Sequence, residues 1–223
     1  MAVGALYREE HLLSDSVSRY ETNDLPEPVR PIAELMSSFP APWALCGGWA
    51  VDAWLGRETR EHADIDLSVF IEHQREVYEH LAGWQLIAHT SGDVHGRWDG
   101  QHLEYPNHVM ARRDTGEPFP DRPDKAEEDG FSLDIQFGER DGDEWVLSGE
   151  PRISLPVRDC VEQSPWGLPT VVPEVLLFFK ASELRRRDRL DFARVLPQLS
   201  EGQRGWLREA LATVGHPWLA DLS

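Results

Sequence analysis

The sequence predicts an α+β fold: a mixed β-sheet flanked by helices, followed by a C-terminal α-helical domain. Three observations predict it. Residues 65–70 and 131–137 alternate strictly between apolar and polar side chains, the pattern of strands with one buried face. Residues 29–39 and 72–84 place apolar side chains three and four apart, the pattern of helices packed on a core. From Pro173 onward the spacing is helical to the end of the chain.

The elements follow in order. Residues 1–25 have weak periodicity and read as an N-terminal arm, helical or partly disordered. After Pro26 and Pro28, the stripe Val29, Ile32, Leu35, Met36 and Phe39 predicts a helix that Pro40 and Pro42 stop. Residues 43–46 then form a short buried strand. Gly47 and Gly48 break it, 49–55 form a second helix, and Gly56 caps that helix in the left-handed conformation. A strand over 65–70 leads to a helix over 72–84 with Val77 and Leu81 facing inward, and 85–89 return as a strand. Between 91 and 130 the pattern is weak, with a strand at 108–112 and a loop rich in proline, glycine and acids from 114 to 130. Strands are expected again at 131–137, 144–147 and 153–157. The domains expected are therefore a catalytic domain over 26–157 and a helical domain over 158–223.

Composition narrows the function. Twenty-two basic against 40 acidic residues give a net charge of −18, which opposes binding to a polyphosphate backbone, so nucleic acid is not expected as a partner. The same charge favours a cationic small molecule or an anion neutralised by metal. The longest apolar runs, such as VLLFFK at 175–180, fall far short of the roughly 20 residues a bilayer requires. A soluble, cytoplasmic protein without a membrane partner is expected. Cys46 and Cys160 are too few for a disulfide framework or a four-thiolate zinc site and read as structural thiols. His89, His95, His102 and His108 lack the spacing of a zinc site on one helix.

The stretch GGWAVDAWLGRETREHADIDL at 47–67 carries the chemistry. Side chains two apart on a strand share a face, about 6.6 Å from each other. Asp64, Asp66 and Ser68 therefore line one side while Ile65, Leu67 and Val69 go to the core. Two adjacent carboxylates repel unless a cation lies between them, and a hard divalent ion such as Mg2+ meets that need. The run FSLDIQF at 131–137 repeats the construction, with Asp134 on the polar face. If the two strands are neighbours, Asp134 completes a cluster able to hold one or two metal ions and to accept a proton from an attacking hydroxyl. Gly47 and Gly48, between a strand and a helix, let the backbone approach a ligand, and the amides of the helix start suit anionic oxygen. Glycines for a triphosphate and aspartates for its metal make one coherent site.

The same ordered string resembles the signature of the DNA polymerase beta-like nucleotidyltransferase superfamily. In particular it is similar to small bacterial enzymes that adenylylate aminoglycosides and lincosamides and so confer antibiotic resistance. FSLDIQF matches the later strand that gives those enzymes a third carboxylate. The resemblance implies the nucleotidyltransferase fold for the N-terminal domain, ATP or another nucleoside triphosphate as co-substrate, Asp64 and Asp66 as magnesium ligands, and Asp134 as general base or shared ligand. It also implies Arg60, His62 and Lys180 as contacts to the triphosphate.

Other residues are assigned less sharply. Trp43, Trp49, Trp54 and Trp84 fit apolar stripes, while Trp98 and Trp166 lie in loops and could flank an acceptor; Asp93, Asp99, Glu104 and Asp129 could face a cationic one. The cluster Arg185, Arg186, Arg187 and Arg189, alternating with Asp188 and Asp191, reads as a salt-bridged helix surface. The reading is a Mg2+-dependent transferase acting on a small hydroxylated acceptor. A protein-modifying enzyme of the antitoxin type and an inactive nucleotide-binding module are the alternatives. The apolar face over 175–179 packs on the first domain or on a second copy, leaving monomer and homodimer both open.

Overall fold

The computed structural model describes residues 25–90, 93–119, 130, 132–182 and 185–222. The expected arm therefore lies outside the described residues, apart from Leu25, which is buried. In chain order the elements are α1 (Arg30–Met36), β1 (Trp43–Cys46), α2 (Gly47–Leu55), β2 (Ile65–Phe70), α3 (Gln74–His80), β3 (Trp84–Thr90), β4 (Asp93–Arg97) and β5 (Asn107–Arg113). There follow β6 (Leu133–Asp141), β7 (Glu144–Val146), β8 (Ser154–Pro156), β9 (Val161–Gln163), β10 (Pro169–Val171), α4 (Pro173–Ala181), α5 (Arg186–Val195) and α6 (Glu201–Thr213).

The main sheet runs β4-β3-β5-β6-β2-β1-β10-β9, and β7 and β8 continue from β6 as a second, antiparallel layer. The pairs β2–β6 and β1–β10 are parallel and their neighbours antiparallel, so the sheet is mixed, as the alternation implied. Strand β2 forms over the residues expected, and its apolar set Ile65, Leu67 and Val69 is buried. Gly56 caps α2 at φ +66°. Helix α1 buries Ala33 and Met36 in the core that also takes Val77, Leu81, Leu133 and Ile135.

Three elements differ from expectation. The helix expected over 72–84 is a 3-10 turn at Ile71–His73 followed by α3, and the chain turns at Gly83, with φ +83°, to enter β3. Strand β4, DVHGR, has no alternation to announce it; it forms as the antiparallel partner of β3 at the edge of the sheet. Between 158 and Pro173, where no strand was expected, the chain gives β9 and β10 to the sheet, so that β10 lies parallel to β1. The helical part begins at Pro173 and breaks into α4, α5 and α6. Val175, Leu176, Leu177 and Phe178 of α4 are buried within the chain itself. Both α4 and α5 pack on α2, the helix that the Gly47–Gly48 turn opens. No helix among the described residues is long and apolar enough to cross a membrane.

Candidate active site

The parallel register of β2 and β6 sets Asp66 directly beside Asp134. Neighbouring strands lie about 4.8 Å apart, so the two carboxyls rise from adjacent positions on one face of the sheet. Asp64 stands one residue before β2, half-buried. Asp134 is buried, and the Gln136 amide, two residues along the same face, donates to its Oδ2 at 2.9 Å.

Cys46 ends β1 opposite Asp66, and α2 starts at the next residue. Gly47 has φ +64°, and a Cβ there would collide with the Asp66 carboxylate; a Cβ on Gly48 would collide with the His62 ring and the Arg60 guanidinium. Both glycines are thus required by the close approach of this chain's own side chains. The backbone N–H of Gly48 donates to Asp66. Burial, and then the charge of Asp64, push the Asp66 carboxyl up to about 6, against the opposing pull of Lys180, the Gly48 amide and Arg185. Burial raises the Cys46 thiol well above its ordinary value, and the charges of Asp66, Asp134 and Asp64 raise it further while Lys180 lowers it.

This donor set fits a hard divalent cation. It consists of carboxylate oxygens, and the ionised form of one, Asp66, is disfavoured by burial and then by the charge of Asp64. Among the described residues no group of three or more His, Cys, Asp or Glu side chains is placed to hold a metal ion, so the three acids do not make a complete metal centre by themselves. Magnesium is commonly held by one or two carboxylates together with substrate phosphates.

Comparison with known proteins bears on the fold and on the stretch around the glycine turn. Residues 28–97 match the model of the aminoglycoside-2''-adenylyltransferase family. Over 76 residues the chain is 32% identical to a lincosamide resistance protein of Staphylococcus haemolyticus, a stretch that is 33% of this chain and 45% of that relative. The chain thus matches less than half of that relative's length. Among solved structures, the lincosamide antibiotic adenylyltransferase LnuA with lincomycin bound superposes with a TM-score of 0.51 at 19% identity, over 77% of this chain and 96% of the other. The antibiotic-resistance factor ANT(2'')-Ia superposes with a TM-score of 0.54 at 15% identity, over 83% of this chain and 89% of the other. The chain has the fold of the antibiotic nucleotidyltransferases. The family model matches a stretch that includes Gly47, Gly48, Asp64 and Asp66, and the likeness of fold extends over most of the chain.

Within this nucleotidyltransferase fold the three expected cations are more enclosed than the sequence implied. Lys180 is buried, with its ammonium 2.9 Å from Asp191 Oδ2 and 3.6 Å from Asp188 Oδ1. Arg60 pairs with Asp191 at 3.1 Å, and its Nη1 also donates to the Glu61 backbone carbonyl at 3.1 Å. His62 Nε2 lies 2.6 Å from Asp52 Oδ2, with its side chain 2% exposed and its ring against Trp49 at 4.4 Å. Asp52 also accepts from the backbone and hydroxyl of Thr59. Burial alone would raise the Asp52 carboxyl, but the hydrogen bonds from His62 and Thr59 outweigh it and hold the group below its ordinary range.

The arginine-rich segment 185–191 is not a surface lattice. Asp188 and Asp191 are fully buried and face inward to Lys180 and Arg60, while Arg186, Arg187 and Arg189 are exposed. A signal was present: positions 188, 191, 192 and 195 recur at three and four, so the two aspartates occupy the core stripe of α5 with Phe192 and Val195. Trp98 is not an open acceptor wall either. It is buried, stacks edge-on against Tyr78 and donates its indole N–H to the Gln101 carbonyl at 2.8 Å. Trp166 is half-buried against Trp49, and Asp99 and Glu104 are exposed. Asp129 and the side chain of Asp93 lie outside the described residues.

Proposed function

We propose that this protein transfers a nucleoside monophosphate, AMP from ATP, to a hydroxyl of a small acceptor of the aminoglycoside or lincosamide class, releasing pyrophosphate. The observation that carries the reading is the register that sets Asp66 beside Asp134, next to the glycine turn that opens α2. The acceptor class comes from the family matched at residues 28–97 and from LnuA, whose structure contains lincomycin. The net charge of −18 suits a cationic antibiotic.

In this reading Asp64 and Asp66 hold Mg2+, and Asp134 shares it or takes the proton of the attacking hydroxyl. The ion, when bound, neutralises the phosphates and so makes the α-phosphorus open to attack. The amides at the start of α2, with Arg60, His62 and Lys180 behind them, orient the triphosphate so that pyrophosphate leaves in line with the incoming oxygen. The Gln136 amide keeps the Asp134 carboxylate turned toward the site. The enclosing helices α4 and α5 shield the reaction from water.

The test is pyrophosphate release with Mg2+, each nucleoside triphosphate and a panel of aminoglycosides and lincosamides, with Asp66→Asn as control. Release that requires one antibiotic and disappears in the variant is expected. Tight nucleotide binding with no turnover across the whole panel would overturn the reading.

A further inference from the structure

We propose that Asp191 is a positioning residue that gathers Arg60, Lys180 and Arg194, from three separate elements, into one cationic unit for the triphosphate. This rests on the reading of the site given above. Arg60 comes from the loop before β2, Lys180 from α4 and Arg194 from α5. Asp191 Oδ2 takes Arg60 Nη2 at 3.1 Å and Lys180 Nζ at 2.9 Å. Its Oδ1 lies 3.5 Å from both Arg60 Nε and Arg194 Nη1. Arg194 reaches back in turn to the Thr59 hydroxyl at 3.3 Å, beside Asp52 and His62.

The charges decide what this arrangement is for. Three cations converging on one point would disperse without an anion, and a buried ammonium with no carboxylate beside it is strongly destabilising. Asp191 has its side chain 1% exposed, so it acts through the cations it holds and does not itself meet a ligand. Asp188 supplies the second anion: it lies 3.6 Å from Lys180 and accepts from Arg185 Nε at 2.8 Å. Among the described residues these two carboxylates hold Lys180, Arg60, Arg185 and Arg194, and two of the four cations lie beside the start of α2. The Arg60 guanidinium abuts Gly48 in the first turn of α2, and Lys180 is close enough to pull down the Asp66 carboxyl. A polyphosphate at the start of α2 would meet Arg60 and Lys180 together. Asp191 makes those charges a single preorganised unit, where they would otherwise be separate flexible side chains.

The experiment measures Mg2+–tripolyphosphate binding by calorimetry, with no acceptor or turnover needed. Arg60→Gln and Lys180→Met are made in the full chain and again in an Asp191→Asn background, with circular dichroism and melting curves to verify folding. In the otherwise unmodified protein each is expected to weaken binding by about tenfold, the worth of one hydrogen bond to a charged group. In the Asp191→Asn background each should weaken it by less than about threefold, because the unit is already dispersed. Full tenfold effects in that background would overturn the proposal and leave Asp191 a structural tie. Should Asp191→Asn not fold, Asp191→Glu carries the test: it keeps the charge but displaces it by a methylene, and should bring both effects down to about threefold. Tenfold effects there overturn the proposal equally. Unmodified protein that binds no tripolyphosphate overturns the site reading as well, whereas normal binding without coupling overturns this proposal alone.

Discussion

Asp66→Asn is expected to make the metal-free protein more stable at neutral pH while abolishing its function. Asp66 is carried from its ordinary 3.8 to about 6 by burial and by the Asp64 charge. Keeping it ionised therefore costs the folded state at most about 3 kcal/mol, since each unit is worth about 1.4 kcal/mol. The sign follows from protons bound. Between pH 6 and 4 the native state holds the proton more tightly than the unfolded chain, so the penalty is fully present above about pH 6 and is gone below about pH 4. Asparagine keeps an oxygen to accept from Gly48 N–H and presents Asp64 with an amide where a like charge stood. For a chain of this length a gain of 2–3 kcal/mol would raise the midpoint by about 5–10 °C. The assay is thermal or urea unfolding of both proteins in EDTA at pH 7.5 and pH 4. A gain at pH 7.5 that shrinks toward zero at pH 4 is expected. A variant no more stable than the parent at pH 7.5, or a gain of equal size at both values, would refute the reasoning.

Further outcomes follow from the same geometry. Gly47→Ala forces a positive φ and a collision with Asp66, and should destabilise the fold by about 2 kcal/mol or more in urea unfolding and abolish Mg2+–nucleotide binding. Asp52→Ala leaves His62 and Thr59 buried without their shared partner, at a cost of about 3 kcal/mol. Because the Asp52 carboxyl is held below its ordinary range, its contribution is present at neutral pH and disappears as acid protonates it, so the loss should be smaller at pH 3 than at pH 7. Cys46 is raised well above the ordinary thiol range and Cys160 is pushed up to about 12, chiefly by burial, so neither should react with iodoacetamide at pH 8 until the protein unfolds, as mass spectrometry would record.

The parts legible in the sequence were those where one side of an element is apolar and the other is not. Strand β2 could be read residue by residue because Ile65, Leu67 and Val69 alternate with Asp66 and Ser68, and that alternation already put both members of the acidic pair on one face. The same logic in β6 located Asp134. That Asp134 falls level with Asp66 is a fact of register between strands far apart in the chain, which local pattern does not encode. Strands β9 and β10 escaped because they are held by pairing with each other and with β1, far away in the chain, which local pattern does not encode. Asp188 and Asp191 were misread for a different reason. Charged residues in an arginine-rich helix read as solvated, although their spacing with Phe192 and Val195 marks the core stripe, and the pairing with Lys180 and Arg60 shows the two aspartates facing inward. Leu190, between them, is left 45% exposed.

The central claim is that Asp66 and Asp134, with Asp64, form the seat of a metal ion that grips a triphosphate lying on the Gly47–Gly48 turn. Anomalous diffraction from crystals grown with Mn2+ and a non-hydrolysable ATP analogue tests it most directly. The account predicts a manganese peak within about 2.3 Å of carboxylate oxygens of this group, with the triphosphate against the first turn of α2. Manganese bound elsewhere, or a nucleotide seated away from that turn, would contradict it.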